Sequence, residues 1–259
     1  MQKLLFDAHI HLTDNEYYCY IQQILNNLRA LKINACSVTV DIETTLRSIE
    51  LFSNSNSDVV TQFIGIHPEF ADTEDVTKFI EIFTDNVESI DGIGEIGLDR
   101  TYTEYNKSSY ENQKEVFESM LRLAEMTKKP VSIHSRRSLD DILDILNTYN
   151  IENVLLHWFA GSKKQLSKSM DMGLYVSFGP VLIYSDDKKT ILKNTDRDKF
   201  LVETDGPVKY SRCFKGLTSL SSSFLVSIVS CAANVLGMTY DETKDILKRN
   251  SESFLKRPI

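Results

Sequence analysis

Cysteine is scarce in this chain: Cys19, Cys36, Cys213 and Cys231 are scattered, with no CxxC pair. That excludes a disulfide framework and a cysteine-built zinc site, and suits reduced thiols in a cytoplasmic protein. Long apolar runs are missing as well. None reaches the roughly eighteen residues of a membrane span, and the first residues carry no signal-peptide pattern, so no membrane partner is expected. Positive charge is in deficit: 29 Lys and Arg against 37 Asp and Glu leave a net charge of −8. A protein that grips a long duplex shows a basic face. Any polyanion bound here would need a local positive centre, such as arginine or lysine at the mouth of a site, or bound metal. Low-complexity tracts and linkers are absent too, so a single domain over residues 1–259 is expected.

What is present is apolar substance in short parcels. Hydrophobic residues make up 42% of 259 positions, enough for a full-sized core. Near-continuous apolar runs at Leu4–His9, Ala35–Val40, Gln62–His67, Gly92–Glu95, Val131–His134, Val154–His157, Leu174–Ser177 and Phe200–Thr204 read as strands buried on both faces. Amphipathic helical patterns lie between them, among them Ile21–Leu31, Val76–Phe83, Gln113–Thr127 and Leu139–Leu146. Successive strand ends fall about 20 to 40 residues apart, the size of a βα unit. Eight such units predict an α/β fold, the (β/α)8 or TIM barrel. Ser222–Leu236 and Tyr240–Lys248 then supply extra C-terminal helices. An open doubly wound sheet is the alternative, but no GxGxxG turn supports it.

The polar residues carry the functional signal. The chain has five histidines, and each sits at or just past the end of a candidate strand: His9 and His11, His67, His134 and His157. Glu95 ends the fourth strand in "GIGEIGLD" and Asp205 ends the eighth in "LVETDGP". In a (β/α)8 barrel those ends converge on one mouth, where active sites are built. In "FDAHIHL", His9 and His11 could be two hydrogen-bonded core residues. Residues i and i+2 on a strand, however, face one side roughly 6.6 Å apart, so two imidazoles can close on one cation. Joined by Glu95, His134, His157 and Asp205, they make a donor set suited to zinc, manganese, iron or a similar ion. Six ligands exceed the three or four of one catalytic zinc, so two divalent metals (Mg²⁺, Mn²⁺ or Zn²⁺) bridged by a carboxylate are expected, with Glu95 the best bridge.

The chain resembles the TatD family of metal-dependent deoxyribonucleases, within the amidohydrolase superfamily. The resemblance rests on "DAHIHL" (7–12), "GIHP" (65–68), "GEIGLD" (94–99), "PVSIHSR" (130–136), "LLHWFAGS" (155–162), "YVSFG" (175–179) and "LVETDGP" (201–207), in family order over nearly the whole chain. It implies that His9, His11, Glu95 and Asp205 form the first metal position and Glu95, His134 and His157 the second. It further implies Asp205 as the general base, so that Asp205 and Glu95 are the candidate catalytic residues. His67 lies by the site in the family, as a substrate contact or a supporting residue. Three departures bear on substrate choice. Glu69 stands where many relatives carry a second histidine, and Trp158 where Cys or Ser is usual. The Asn-Glu-Pro segment after the eighth strand is replaced by "VKYSRCFKGLTSLSSS", Val208–Ser223.

Two metals suit phosphodiester hydrolysis. One lowers the pKa of its water to give hydroxide at neutral pH, and both neutralise charge building on the phosphoryl oxygens. The expected activity is a DNase, acting as an exonuclease on single-stranded ends, with nucleic acid as substrate and a monomer as the working expectation. Arg136 either contacts a phosphate or pairs with Asp140; Arg100, Lys209 and Arg212 are weaker candidates. Trp158 and Tyr102 lead the aromatic residues that could stack on bases, ahead of Phe70, Tyr105, Tyr110, Phe159, Tyr184 and Tyr210. Glu203 and Asp99 read as residues supporting the ligands, and Lys163–Lys164 and Lys188–Lys189 as solvated helix faces. A metal-dependent amidohydrolase or esterase, such as a misacylated-tRNA deacylase, is the second reading. A metal-bearing interaction protein without catalysis is the third.

Overall fold

A computed structural model describes residues 5–53, 58–105, 107–210, 212–213 and 221–259. Eight parallel strands form one sheet in sequence order: β1 Leu5–Ile10, β2 Ile33–Ser37, β3 Val60–Ile64, β4 Gly92–Asp99, β5 Val131–Arg136, β6 Val154–Leu156, β7 Tyr175–Phe178 and β8 Phe200–Val202. The helices among the described residues are α1 Asn15–Tyr18, α2 Ile21–Leu31, α3 Ile42–Phe52, α4 Val76–Asp85, α5 Arg100–Glu104, α6 Tyr110–Thr127, α7 Leu139–Leu146, α8 Lys163–Asp171, α9 Asp186–Lys193, α10 Ser221–Leu236 and α11 Tyr240–Leu255. The expected (β/α)8 barrel is therefore present, followed by the two C-terminal helices. Among the described residues no single helix is long and apolar enough to cross a membrane.

The seam between the first and last strands is closed by backbone at the level of the histidines. Asp205 donates its N–H to the His9 carbonyl at 2.9 Å, and His11 donates to the Gly206 carbonyl at 2.8 Å. Below them the buried Asp7 carboxylate accepts from the Thr204 N–H at 2.9 Å and its hydroxyl at 2.6 Å. Two polar groups removed from water satisfy each other there, so the closure does not leave an unpaired charge.

Local sequence explains the helices. α2 buries Ile21, Ile24, Leu25 and Leu28, and α7 buries Leu139, Ile142, Leu143 and Leu146. Both are the i, i+3, i+4, i+7 stripe of a helix laid on a sheet. Capping boxes at Asp41–Thr44, Ser162–Gln165 and Thr239–Glu242 start α3, α8 and α11 by satisfying N–H groups that a helix start leaves open. A smaller core cluster brings Phe6, Cys36, Phe63, Leu155, Tyr175 and Leu201 from six strands against Phe254 of α11.

Several bounds differ from the sequence reading. β4 runs past Glu95 to Asp99, because Gly94 and Gly97 serve close strand contact rather than a break. A Cβ on Gly97 would lie 2.0 Å from the His134 carbonyl, and one on Gly94 2.9 Å from Ser132 Cβ. β8 stops at Val202, and Glu203, Thr204 and Asp205 leave the sheet towards the seam. The start of the first candidate strand at Leu4, and residues 211 and 214–220 of the segment Val208–Ser223, lie outside the described residues.

Candidate metal centre

Ten site residues were expected from the sequence, and the barrel brings all ten together. His11, His67, Glu95, Tyr102, His134, Arg136, His157, Trp158 and Asp205 line one cavity of about 500 Å³. His9 lies beneath them, fully buried. β1, β4 and β5 carry His9, Glu95 and His134, while His11, His67, His157 and Asp205 sit just past β1, β3, β6 and β8.

Glu95 is the centre of the arrangement. Its Oε2 faces His9 Nε2 at 3.4 Å and His11 Nε2 at 3.5 Å. Its Oε1 faces His157 Nε2 at 2.7 Å, His134 Nδ1 at 2.9 Å and His67 Nε2 at 3.6 Å. One carboxylate thus turns a different oxygen to each of two histidine sets. Asp205 joins the first set, with Oδ1 3.5 Å from His11 Nε2 and 3.7 Å from His9 Nε2. Among the described residues, donor atoms close enough to share an ion occur in three groups: His9 with His11 and Asp205, His9 with Glu95 and His157, and His67 with Glu95 and His134. His67, expected at the edge of the site, is therefore placed among the donors.

The electrostatics follow from burial and from Glu95. Burial alone would raise the Glu95 carboxyl, but the surrounding imidazoles, His157 foremost, hold it well below the usual range. Burial acts against charge on His157 too, yet Glu95 beside it lifts its pKa to about 9. Burial dominates at His9, which falls to about 4 with the nearby His157 adding to the effect, and at His67, which falls to about 3. The His9 and His157 rings stack at 3.8 Å, and His9 Nε2 is buried without a hydrogen-bond partner. A buried imidazole nitrogen aimed at two carboxylates and left unpartnered is a group that lacks its counterpart. The mixed imidazole and carboxylate donors around it fit a divalent ion.

Behind the donors stands a second set of contacts. His9 Nδ1 shares a hydrogen bond with Ser132 Oγ at 3.0 Å, and His134 Nε2 donates to Asp99 Oδ2 at 2.9 Å. Glu203 Oε1 lies 3.9 Å from His157 Nδ1. Ser132 and Asp99 fix which nitrogen of His9 and His134 faces the cavity, while His157 Nδ1 is buried without a hydrogen-bond partner. Ser132 was missed in the sequence, where a serine in a buried run has no distinguishing mark. Glu203 also accepts the Trp158 N–H at 2.8 Å and the Ser177 hydroxyl at 2.5 Å. That bond holds Trp158 at φ +42°, a left-handed conformation rare for a bulky residue; Asp205 sits at φ +50°. Two such residues cost about 1–3 kcal/mol each and occur where the surroundings over-determine them, often at functional sites.

The walls sort the remaining candidates. Tyr102 meets His67 edge-on at 5.6 Å, and Trp158 packs on Tyr210 at 5.5 Å. Phe159 and Tyr210 are buried, so neither offers a face to a base. Arg100 is held by Asp141 at 2.5 Å, Lys209 by Glu16 at 3.0 Å, and Arg212 lies over the Tyr184 ring. Arg136 and Asp140 form no ion pair, leaving the guanidinium exposed at the cavity.

Comparison with known proteins agrees with this geometry. A family model described as TatD related DNase matches residues 6–256. A Bacillus subtilis protein named uncharacterized metal-dependent hydrolase YabD is 29% identical over 98% of this chain and 99% of its own. The human deoxyribonuclease TATDN3 is 23% identical over 95% of this chain and 93% of its own. Among solved structures, the Escherichia coli TatD homologue YJJV superposes with a TM-score of 0.88 at 19% identity, covering 100% of both chains. A TatD-family hydrolase from Entamoeba histolytica gives a TM-score of 0.83 at 16% identity over 98% of each chain.

Proposed function

The chain belongs to the TatD-related DNase family of metal-dependent hydrolases, and we propose that it is a phosphodiesterase that trims single-stranded DNA from an end. The observation that carries this reading is the orientation of Glu95. Its two oxygens address His9 and His11 on one side and His134, His157 and His67 on the other. That is the donor pattern of two cations sharing one carboxylate. His9, His11, Glu95 and Asp205 would hold one ion, and Glu95, His134 and His157 the other, with His67 beside the second. Such ions supply a water of near-neutral pKa and positive charge for the phosphoryl oxygens.

The residues of the chain do the rest. Asp205, with Oδ1 at the first histidine pair, accepts the proton of the attacking water. Asp99 and Ser132 keep the imidazoles of His134 and His9 pointed into the cavity. Arg136 meets a phosphate oxygen, and Trp158 and Tyr102 present ring faces to the terminal base. A cavity of about 500 Å³ suits the end of a strand rather than a duplex. The four free cysteines suit a reducing, cytoplasmic setting, and a single domain accounts for a family match over residues 6–256.

The test is turnover of end-labelled single-stranded DNA against ester and amide substrates with Mg²⁺, Mn²⁺ or Zn²⁺ present. The expected result is release of mononucleotides, with Asp205→Asn reducing kcat by at least about 100-fold. Cleavage of esters or amides without any phosphodiester cleavage would overturn the reading in favour of an amidohydrolase.

A further inference from the structure

The cations around the cavity are not equivalent. On the sides contributed by β1 to β4 and by β8 they are neutralised one by one, and so is Arg137 directly after β5. Arg100 is paired with Asp141, Lys107 with Glu69, Arg137 with Glu104 and Lys209 with Glu16. Arg47 is spent on the Thr13 carbonyl, Asn15 and Glu43. A paired charge projects little field, and moving it onto a phosphate would strand its carboxylate. Three other cations, at the end of β5 and past β6, differ. Arg136, Lys163 and Lys164 are exposed, and among the described residues none of their side chains makes a hydrogen bond or ion pair. Asp141 is engaged with Arg100 and Tyr110 and Asp144 with Lys168, and Asp171 and Asp196 line a separate groove with Lys163 without an ion pair to it. Asp140 does not reach Arg136.

The shape of the cavity points the same way. Apart from the histidines and carboxylates, its lining comes from Ser135 and Arg136 at the end of β5 and from Trp158 and Ala160 after β6. β4 and β8 add only Tyr102 and Val208. The chain then runs from Ala160 through two residues to Lys163 and Lys164. A stacking ring at Trp158 with the unpaired Arg136 in the same cavity wall, and two more unpaired cations five and six residues further along the chain, is the combination that holds successive nucleotides of a single strand.

Resting on the phosphodiesterase reading, we propose that the substrate strand leaves the cavity over the β5–β6 rim, where Arg136, Lys163 and Lys164 take its phosphates. The opposite rim stays empty. On a body of net charge −8 this path confines the polyanion to one sector of the mouth.

The experiment measures kcat/KM of the metal-loaded enzyme over a salt series, on a ten-nucleotide single strand and on a dinucleotide. A small chromogenic phosphodiester, bis(4-nitrophenyl) phosphate, serves as reference. Each phosphate contact contributes about 0.7 to the slope of log affinity on log salt for single strands. Lys163→Ala with Lys164→Ala should flatten the ten-nucleotide slope by about 1.4 and raise KM rather than lower kcat. It should also reduce the preference for ten nucleotides over two. Lys107→Ala with Lys209→Ala should leave the slope as it is. An unchanged slope in the first pair, or equal flattening in the second, overturns the path. So does a wild-type enzyme that cleaves the chromogenic diester but gains nothing from a longer strand. No cleavage of the chromogenic diester under any metal would instead overturn the phosphodiesterase reading itself.

Discussion

Burial leaves His9 and His67 neutral at pH 7, with pKa values of about 4 and about 3, so each ring offers a lone pair in the form a cation takes. Orientation then decides whether that lone pair is usable. Asp99 is the clearest case: Oδ2 receives His134 Nε2 at 2.9 Å, while Oδ1 receives the Thr101 N–H at 2.7 Å and caps α5. Asp99→Asn keeps an acceptor for the cap but can turn an N–H₂ towards His134. Metal affinity measured by calorimetric titration should fall about 10–100-fold, while circular dichroism stays native. An unaltered affinity would show that His134 needs no partner behind it. A second residue, away from the donors, makes a pH prediction. Lys188 donates to the Phe159 carbonyl from a largely buried position, and burial lowers its pKa to about 8. Between pH 8 and the unfolded value near 10.5 the unfolded chain binds more protons at this site, so folding stability gained from Lys188 rises with pH there. Below pH 8 the amine is charged in both states and its burial is a constant cost. Urea midpoints of wild type and Lys188→Met, compared at pH 7.5 and 10, should therefore shift relative to each other in favour of wild type at the higher pH.

At the scale of elements, helices were more legible than strand ends. α2 and α7 coincide with the periodicity that predicts them, because a single apolar stripe defines both start and stop. Strand ends depend on neighbours. The apolar run predicts a strand ending at Glu95, yet β4 continues to Asp99, with Gly97 demanded by the adjacent strand. Two of the three glycines at positive φ among the described residues separate local strain from packing. Gly173, after α8, has φ +71° and nothing within 4 Å of an added Cβ, whereas Gly97 has φ +143° and meets the His134 carbonyl. Gly173→Ala should cost about 1–2 kcal/mol, the price of a left-handed alanine. Gly97→Ala should cost at least about 4 kcal/mol, since it must push β4 from β5 beneath the site. Chemical denaturation of the two variants gives both numbers, and similar values would mean that the close contact is not rigid. The candidate site was legible for a related reason. Rare residue types recurring at strand ends are visible in one dimension once eight strands are counted. Partners such as Ser132, and the seam bonds of His9 and His11, depend on which strands become neighbours and leave no sequence mark.

At the scale of the whole molecule, a net charge of −8 and a mouth holding Glu95, Asp99 and Asp205 oppose any polyanion. Two divalent ions would add four positive charges at the floor of the cavity and reverse the local field. Strand binding and metal loading are therefore coupled, even before any bond is broken. Chelation should abolish binding of a fluorescent single strand at moderate salt, measured by anisotropy, and Mn²⁺ should restore it. The barrel should remain folded throughout, because its seam is closed by backbone hydrogen bonds and the Asp7–Thr204 pair rather than by ligands. Stability should nevertheless respond. An ion at 100 times its Kd adds about 2.7 kcal/mol to the folded state, and in a chain of this size each kcal/mol moves Tm by about 2–4 °C. One occupied position thus predicts a rise of roughly 5–10 °C in a thermal melt, and a second position adds to it. A melt that ignores metal, or strand binding that survives chelation, would contradict a cavity whose positive charge is borrowed from its ions.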